Sequence, residues 1–334
     1  MALWLAVSFA LAFAVTNGFH DAANAIATLV ATRGARPREA VVLSAVFNMV
    51  GVLLLGTAVA NTIAGIVTVS PGRAVGVIGS GALAAVLWNL LTWWRGLPSS
   101  SGHALVGGLV GAALVEAGLG AVNWGGLNGW RPVGVFGVLI ALAVSPLVGL
   151  ALGFGVARGG ERLLRRATRR VHGPIRLGEW LMSAALSLSH GANDGQKAMG
   201  VIAALLLAGG RLQVFAVPLW AKLGCGLALT LGTSLGGWRI VRTIGRRIFR
   251  LAPIGGFASQ SASTAVILVG SYAGAPVSTT HVVACSVIGV GGGRRRWRHV
   301  RWAVVRSIMF AWLLTLPATM ALGSVTVLVW RALG

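Results

Sequence analysis

Negative charge is the scarcest commodity in this sequence. Six of 334 residues are Asp or Glu, against 28 Lys and Arg, which leaves a formal net charge of +22. Charged residues of both signs reach 10% of the chain, where a soluble domain carries roughly 25%. A water-soluble globule could not cover its surface with so few, and that class is excluded. Cysteine is scarce as well: Cys225 and Cys285 both sit in apolar stretches without metal-ligand spacing, so they read as small packing residues. The apolar run 1–15 lacks a basic segment ahead of it and leads directly into Thr16-Asn17-Gly18-Phe19-His20-Asp21. It is read as a retained first membrane helix rather than a secretory signal.

What the chain has in excess is apolar length. Hydrophobic residues make up 56% and mean hydropathy is +0.83, concentrated in runs that exceed the ~20 residues an α-helix needs to cross a bilayer. The expected class is an all-α polytopic membrane protein. Twenty of the 28 bases fall in four clusters: Arg33 to Arg38, Arg158 to Arg176, Arg239 to Arg250 and Arg294 to Arg301. On a soluble chain they would suggest nucleic acid. Between apolar spans they set orientation instead, so no nucleic acid is expected and all four clusters are placed on the cytoplasmic side. The thirteen Trp, Trp93, Trp94, Trp302 and Trp330 among them, lie largely near span ends as interfacial anchors.

With the clusters inside, parity dictates the topology. Segments 1–32, 40–66 and 133–155 each cross once, whereas 74–117 starts and ends outside and must turn back at Gly96-Leu97-Pro98-Ser99-Ser100-Ser101-Gly102. The second half repeats the plan with 178–208, 214–238, a hairpin over 252–293 broken at Gly274-Ala275-Pro276-Val277-Ser278-Thr279-Thr280, and 303–330. Each half thus has three crossings, the first discontinuous at its polar string, and one re-entrant helical hairpin. An odd number of crossings per copy forces the second copy upside down. The expected organisation is a first repeat at 1–157, a basic cytoplasmic linker at 158–176 and an inverted second repeat at 177–334. Residues agree: Gly18-Phe19-His20-Asp21 aligns with Gly191-Ala192-Asn193-Asp194, and Pro98, Ser100 and His103 match Pro276, Ser278 and His281 at identical spacing. Duplicated polar motifs in two apolar halves point to a secondary transporter with its site at the repeat interface.

Four acidic residues, Glu39, Glu116, Glu161 and Glu179, are placed near loops or a hairpin end, while Asp21 and Asp194 fall inside the first crossing of each repeat. A carboxylate at membrane depth costs several kcal/mol unless paired, protonated or holding a cation. The plainer alternative is that each Asp only caps a half-helix. Asn24 follows Asp21 by three residues and Lys197 follows Asp194 by three, which puts each pair on one helix face. Asn24 can add an amide oxygen to a cation site; Lys197, with Gln196 beside it, can form an ion pair or meet an anion. The hairpin tips offer the opposite chemistry, with free backbone N–H groups, hydroxyls and the positive end of a helix dipole. Such a tip can grip a tetrahedral oxyanion without a basic side chain, unless its hydroxyls merely cap their own helices. The anion set is Ser100, Ser101 and Gly102 on one tip and Ser278, Thr279 and Thr280 on the other. Carboxylates and an oxyanion repel strongly at low dielectric, so a cation between them supplies the coupling. His20, His103, His190 and His281 lie near the breaks, without the spacing of a metal site, and are read as packing or hydrogen-bonding groups.

At these motifs the chain resembles the PiT family of inorganic phosphate transporters. The resemblance runs through Gly18 to Ala25, Gly96 to Ser101, Ser189 to Lys197 and Gly274 to His281, in order along the whole chain. It implies a symporter of orthophosphate with H⁺ or Na⁺, with no cofactor, in which Asp21, Asn24, Asn193 and Asp194 serve the cation and Ser100, Ser101, Ser278, Thr279 and Thr280 the phosphate. Three departures stand out. His20 replaces the family's Asn before Asp, which removes an amide oxygen and makes H⁺ coupling more plausible; Gly102 replaces a hydroxyl residue; Gln260 stands where relatives often carry Glu.

The expected function is therefore import of inorganic phosphate by cation symport through alternating access in a plasma membrane, with phosphate and the lipid bilayer as partners and a homodimer left open. Rival readings are a carrier of another oxyanion such as sulfate, an intramembrane aspartyl protease using the two Asp as a dyad, and a channel.

Overall fold

The computed structural model describes residues 1–128, 131–167, 171–294 and 296–333. Arg169, Arg170 and Arg295, counted above in the basic clusters, lie outside the described residues, as does part of the 158–176 linker. Twelve α-helices carry the fold among the described residues. In the first half they are α1 (Ala2–Ala31), α2 (Pro37–Leu54), α3 (Ala58–Ala64), α4 (Pro71–Arg95), α5 (Ser101–Ala117) and α6 (Gly134–Leu163). The second half supplies α7 (His172–Ala208), α8 (Leu219–Leu235), α9 (Trp238–Arg242), α10 (Pro253–Tyr272), α11 (Thr279–Gly293) and α12 (Trp302–Leu333). A short ribbon, β1 (Gly126–Asn128) with β2 (Arg131–Val133), closes the loop before α6.

Local chemistry explains where these helices start and stop. Pro71 and Pro253 open α4 and α10 at a position where the missing N–H has no cost. Gly96, at φ 66°, ends α4 in the left-handed conformation that other residues rarely adopt, and Gly274, at φ 73°, does the same just beyond α10. Two residues after each glycine comes Pro98 or Pro276, and two further on Ser100 or Ser278 caps the next helix, accepting from the His103 or His281 backbone N–H at 3.2 and 3.3 Å. One stop-and-start signal is thus written twice.

Five helices, α1, α2, α4, α6 and α12, are long and apolar enough to cross a membrane, while α5, α8 and α11 are apolar but shorter. α4 spans 25 residues, about 37 Å at 1.5 Å per residue, so one arm of the first hairpin has span length in its own right. Outward faces are apolar: Phe310 and Leu313 on α12 stand 67% and 76% exposed. The interior, by contrast, collects Asn, His, Asp, Ser and Thr where α1 and α7 meet the two hairpin tips.

Packing in the two halves follows one scheme. α1 lies along α8 and α4, and α7 lies along α2 and α10; α5 packs on α12, and α11 on α6. Even the tips are held alike, with Thr62 Oγ1 donating to Gly274 O at 2.7 Å and Thr243 Oγ1 to Gly96 O at 3.3 Å. The basic clusters gather at one end. Arg176 donates to the carbonyls of Gly34 and Arg33 at 3.2 and 3.0 Å, Arg301 N donates to Ile248 O, and Arg165, Ile254 and Arg294 line one cavity.

Two expectations need correction. α1 and α7 run unbroken through Asp21 and Asp194 rather than being discontinuous there. Their polar side chains find partners sideways, on other helices, so the backbone has no need to unwind. The glycines in the motifs serve close approach instead: a Cβ on Gly18 would stand 2.9 Å from Gly232 Cα of α8, and one on Gly191 would stand 2.7 Å from Asn48 Cα of α2. Glu179, expected near a loop, is fully buried within α7 against Gly34 and Gly256.

This close packing is testable. A side chain at Gly232 would sit 2.9 Å from Gly18 Cα, whereas one at Gly155 would meet nothing within 4 Å. Gly232→Val is expected to destabilise the protein by about 1–3 kcal/mol, seen as earlier melting in detergent, and Gly155→Val to leave the melting curve unchanged.

Candidate functional site

The site assembles where the middles of α1 and α7 face the starts of α5 and α11. Asp21 and Asp194 are each 1% exposed. Single ligand atoms of Asp21, His190 and Asp194 lie within 4.8 Å of one another. Two carboxylates from the two halves therefore share one buried spot.

Each carboxylate is wrapped by donors, and each reaches a hairpin tip. Asp21 Oδ1 accepts from His20 Nδ1 at 2.9 Å and from Thr280 Oγ1 at 2.9 Å, and Oδ2 accepts from Ser101 Oγ at 2.7 Å. Asp21 is thus tied to both tips at once. Asp194 Oδ2 accepts from Thr279 Oγ1 at 3.0 Å and lies 2.9 Å from His190 Nε2, while Oδ1 takes the Lys197 ammonium. Lys197 Nζ also donates to Val277 O at 3.0 Å, just before the second tip's hydroxyl cluster. Asn24 Nδ2 donates to Thr279 and Thr280 hydroxyls at 3.2 and 2.9 Å, leaving its Oδ1 without a partner among the described residues. Asn193 Nδ2 donates to Ser271 Oγ and Ala275 O at 3.0 and 3.2 Å, and its Oδ1 is likewise unpartnered. Buried oxygens in that state are available to a cation.

The structure brings together most of the residues singled out from sequence: His20, Asp21, Asn24, Ser101, Asp194, Lys197, Thr279 and Thr280 form one connected network. Ser100 and Ser278 stand at its edge, their hydroxyls spent on capping their own helices, so what they offer an anion is the helix start and not the hydroxyl. Gly102 is next to the ammonium: a Cβ there would sit 3.3 Å from Lys197 Nζ. Gln196 does not belong to the site. Its Oε1 accepts from Val59 N at 2.8 Å and its Nε2 donates to Leu55 O at 2.6 Å, so it bridges the interruption between α2 and α3. Neighbours three or four residues apart share a helix face and those one or two apart do not, so Gln196, two residues after Asp194 and one before Lys197, faces away from both. Gln260 is buried in α10 with both amide atoms unpartnered among the described residues.

Several participants were not singled out. His190, read as a packing or hydrogen-bonding group, does bond Asn48 Oδ1 through Nδ1 at 3.0 Å, and it also faces Asp194. Its spacing of four residues before Asp194 was the available signal. Thr92 and Ser99 hold the other side of the His20 ring, 3.1 and 3.2 Å from Nε2. Asn48 in turn donates to Thr233 Oγ1 at 3.0 Å. Asn48, Thr92 and Thr233 come from α2, α4 and α8, where isolated polar residues carry no local pattern, whereas Ser99 belongs to the hydroxyl run of the first tip. His103 and His281 pair off, ring centroids 4.8 Å apart, and His281 stacks on Trp312 at 3.8 Å.

Comparison with known proteins agrees with this architecture. Residues 17–323 match the Phosphate transporter family. The chain belongs to the phosphate transporter family. A relative from Bacillus subtilis (strain 168), described as "Probable low-affinity inorganic phosphate transporter", is 38% identical over 96% of this chain and 95% of its own length. One of the same description from Rhizobium meliloti (strain 1021) is 41% identical over 93% and 91%. A solved structure, "The sodium-dependent phosphate transporter", superposes with a TM-score of 0.87 at 25% identity, covering 99% of both chains. These are transporters and not enzymes, which removes the aspartyl-protease reading. Family membership and the five apolar spans make the chain a multi-pass integral membrane protein.

The position of Gln196 yields a direct check. Gln196→Leu removes both bridges between α2 and α3 and leaves a buried N–H and C=O unpaired, at about 1–3 kcal/mol each. Lower thermal stability with unchanged phosphate affinity is expected; lost affinity with unchanged melting would return Gln196 to the anion.

Proposed function

We propose that this protein imports inorganic phosphate by symport with a monovalent cation, H⁺ or Na⁺, through alternating access of two inverted repeats, 1–157 and 177–334, joined by the basic linker 158–176. The observation that carries the reading is the shared spot where Asp21 and Asp194, one from each half, meet hydroxyls from both hairpin tips. In support of the repeat, exchanging α1, α2, α4, α5 and α6 with α7, α8, α10, α11 and α12 turns the α1–α8 packing into α7–α2, α1–α4 into α7–α10 and α5–α12 into α11–α6. The basic end of the molecule faces the cytoplasm of a cell whose plasma membrane holds it, by the excess of Arg in those connections.

The chemistry follows from charge. Two buried carboxylates and a phosphate dianion cannot share a low-dielectric site, since unit charges at 4 Å interact by about 4 kcal/mol even at an effective dielectric of 20. A cation at Asp21, with Asn24 offering its unpartnered amide oxygen, removes that repulsion. The hydroxyls of Ser101, Thr279 and Thr280, now turned onto the carboxylates, are then free to rotate toward the phosphate oxygens. Backbone N–H groups at Ser100, Ser101, Gly102, Ser278, Thr279 and Thr280 add the positive ends of α5 and α11. Phosphate is favoured over sulfate because HPO₄²⁻ retains a proton that a carboxylate can accept. Binding of anion and cation is thereby mutual, and rocking of one repeat against the other around the occupied site completes the transport step.

Uptake of radiolabelled phosphate into proteoliposomes tests this, with Na⁺ and pH gradients imposed separately and sulfate in excess. Uptake driven by one of the two gradients and untouched by sulfate is expected; uptake indifferent to both would indicate a channel. Asp21→Asn is expected to bring uptake to background in a protein that remains folded. Thr279→Ala and Thr280→Ala should each weaken apparent phosphate affinity about tenfold, the worth of one hydrogen bond to a charged group.

A further inference from the structure

The two halves agree closely around the carboxylates, and the informative place is where they do not. Asp21 is followed three residues later by Asn24, and Asp194 by Lys197. Among the described residues no Lys or Arg touches Asp21; its partners are His20, Ser101 and Thr280. Asp194 has an ammonium on Oδ1. That ammonium is buried, at 1% exposure, and its second partner is the Val277 carbonyl.

A carboxylate oxygen and a backbone carbonyl oxygen are what an alkali cation draws to itself in a protein. Lys197 Nζ takes both. We infer that Lys197 is a built-in cation that permanently fills the second repeat's cation position, so that one transported cation, held on the Asp21 side, accompanies each phosphate. The inference rests on the symport reading above and deepens it.

Gly102 fits the same picture. The first tip carries glycine where the second tip carries Thr280, and a Cβ at Gly102 would stand 3.3 Å from Lys197 Nζ and 3.6 Å from Cε. The missing side chain is room for the ammonium. Leaving a buried carboxylate without a counter-charge is strongly destabilising. Lys197 supplies that charge at Asp194 in every state of the cycle, and the cargo cation supplies it at Asp21 only when bound. The asymmetry sets which repeat reports the cation gradient.

The test is the number of cations moved per phosphate, from the gradients that hold reconstituted protein at zero net flux. The unaltered protein is expected to move one. Lys197→Asn, which copies the first repeat, is expected to move one more per phosphate, and the double variant Asn24→Lys with Lys197→Asn to return to one. An unchanged ratio in Lys197→Asn overturns the inference. So does loss of phosphate binding with cation binding intact, which would make Lys197 an anion ligand. Should the variants fail to fold, equilibrium binding to the unaltered protein at saturating phosphate decides: one equivalent of Na⁺ bound or one proton taken up supports the inference, and two or more contradict it. Absence of any phosphate transport driven by either cation would instead overturn the symport reading.

Discussion

Two carboxylates buried within a few ångströms of one another are the constraint on which the rest of this structure depends. Nothing in a bilayer interior compensates Asp21 and Asp194 unless the protein or its cargo does. The fold answers with hydroxyl donors from both hairpin tips, a histidine beside each carboxylate, and one ammonium. Because the donors come from both hairpin tips, the carboxylates also fix where the tips lie. Charge balance and architecture are one problem here.

The same constraint explains why small residues crowd the motifs. For α1 and α7 to deliver their acids to a common point, α8 and α2 must press close behind them, and Gly18, Gly51, Gly191 and Gly232 make that approach feasible. Membrane helices have no hydrophobic drive to associate, so close backbone contact of this kind is a principal source of their cohesion. The glycines and aspartates of the motifs thus do complementary jobs, one kind setting distance and the other charge.

Much of this was legible in the sequence. The apolar helices followed from run length, and the helix breaks at Gly96–Ser100 and Gly274–Ser278 from the repeated Gly-x-Pro-x-Ser spacing, because these are local signals with local causes. Asp21 and Asp194 stood out because acids are so few. The unbroken course of α1 and α7 was not legible: whether a polar string breaks a helix depends on partners contributed by other helices, Ser101 and Thr280 for Asp21, Asn48 for His190. Gln196 was misjudged for a related reason, since adjacency in sequence to Lys197 puts it on a different face. Thr92 and Thr233 carry no motif at all and become visible only when the chain is folded.

The central claim is that cation and phosphate bind as one neutralised unit at the paired carboxylates, and linkage tests it most directly. Phosphate affinity would be measured by equilibrium binding to purified protein across a series of concentrations of the coupling cation, and cation affinity across a series of phosphate concentrations. Reciprocal and equal changes, tenfold or more in each direction (about 1.4 kcal/mol of coupling), are expected. Phosphate affinity that stays constant as the cation is withdrawn would contradict the claim.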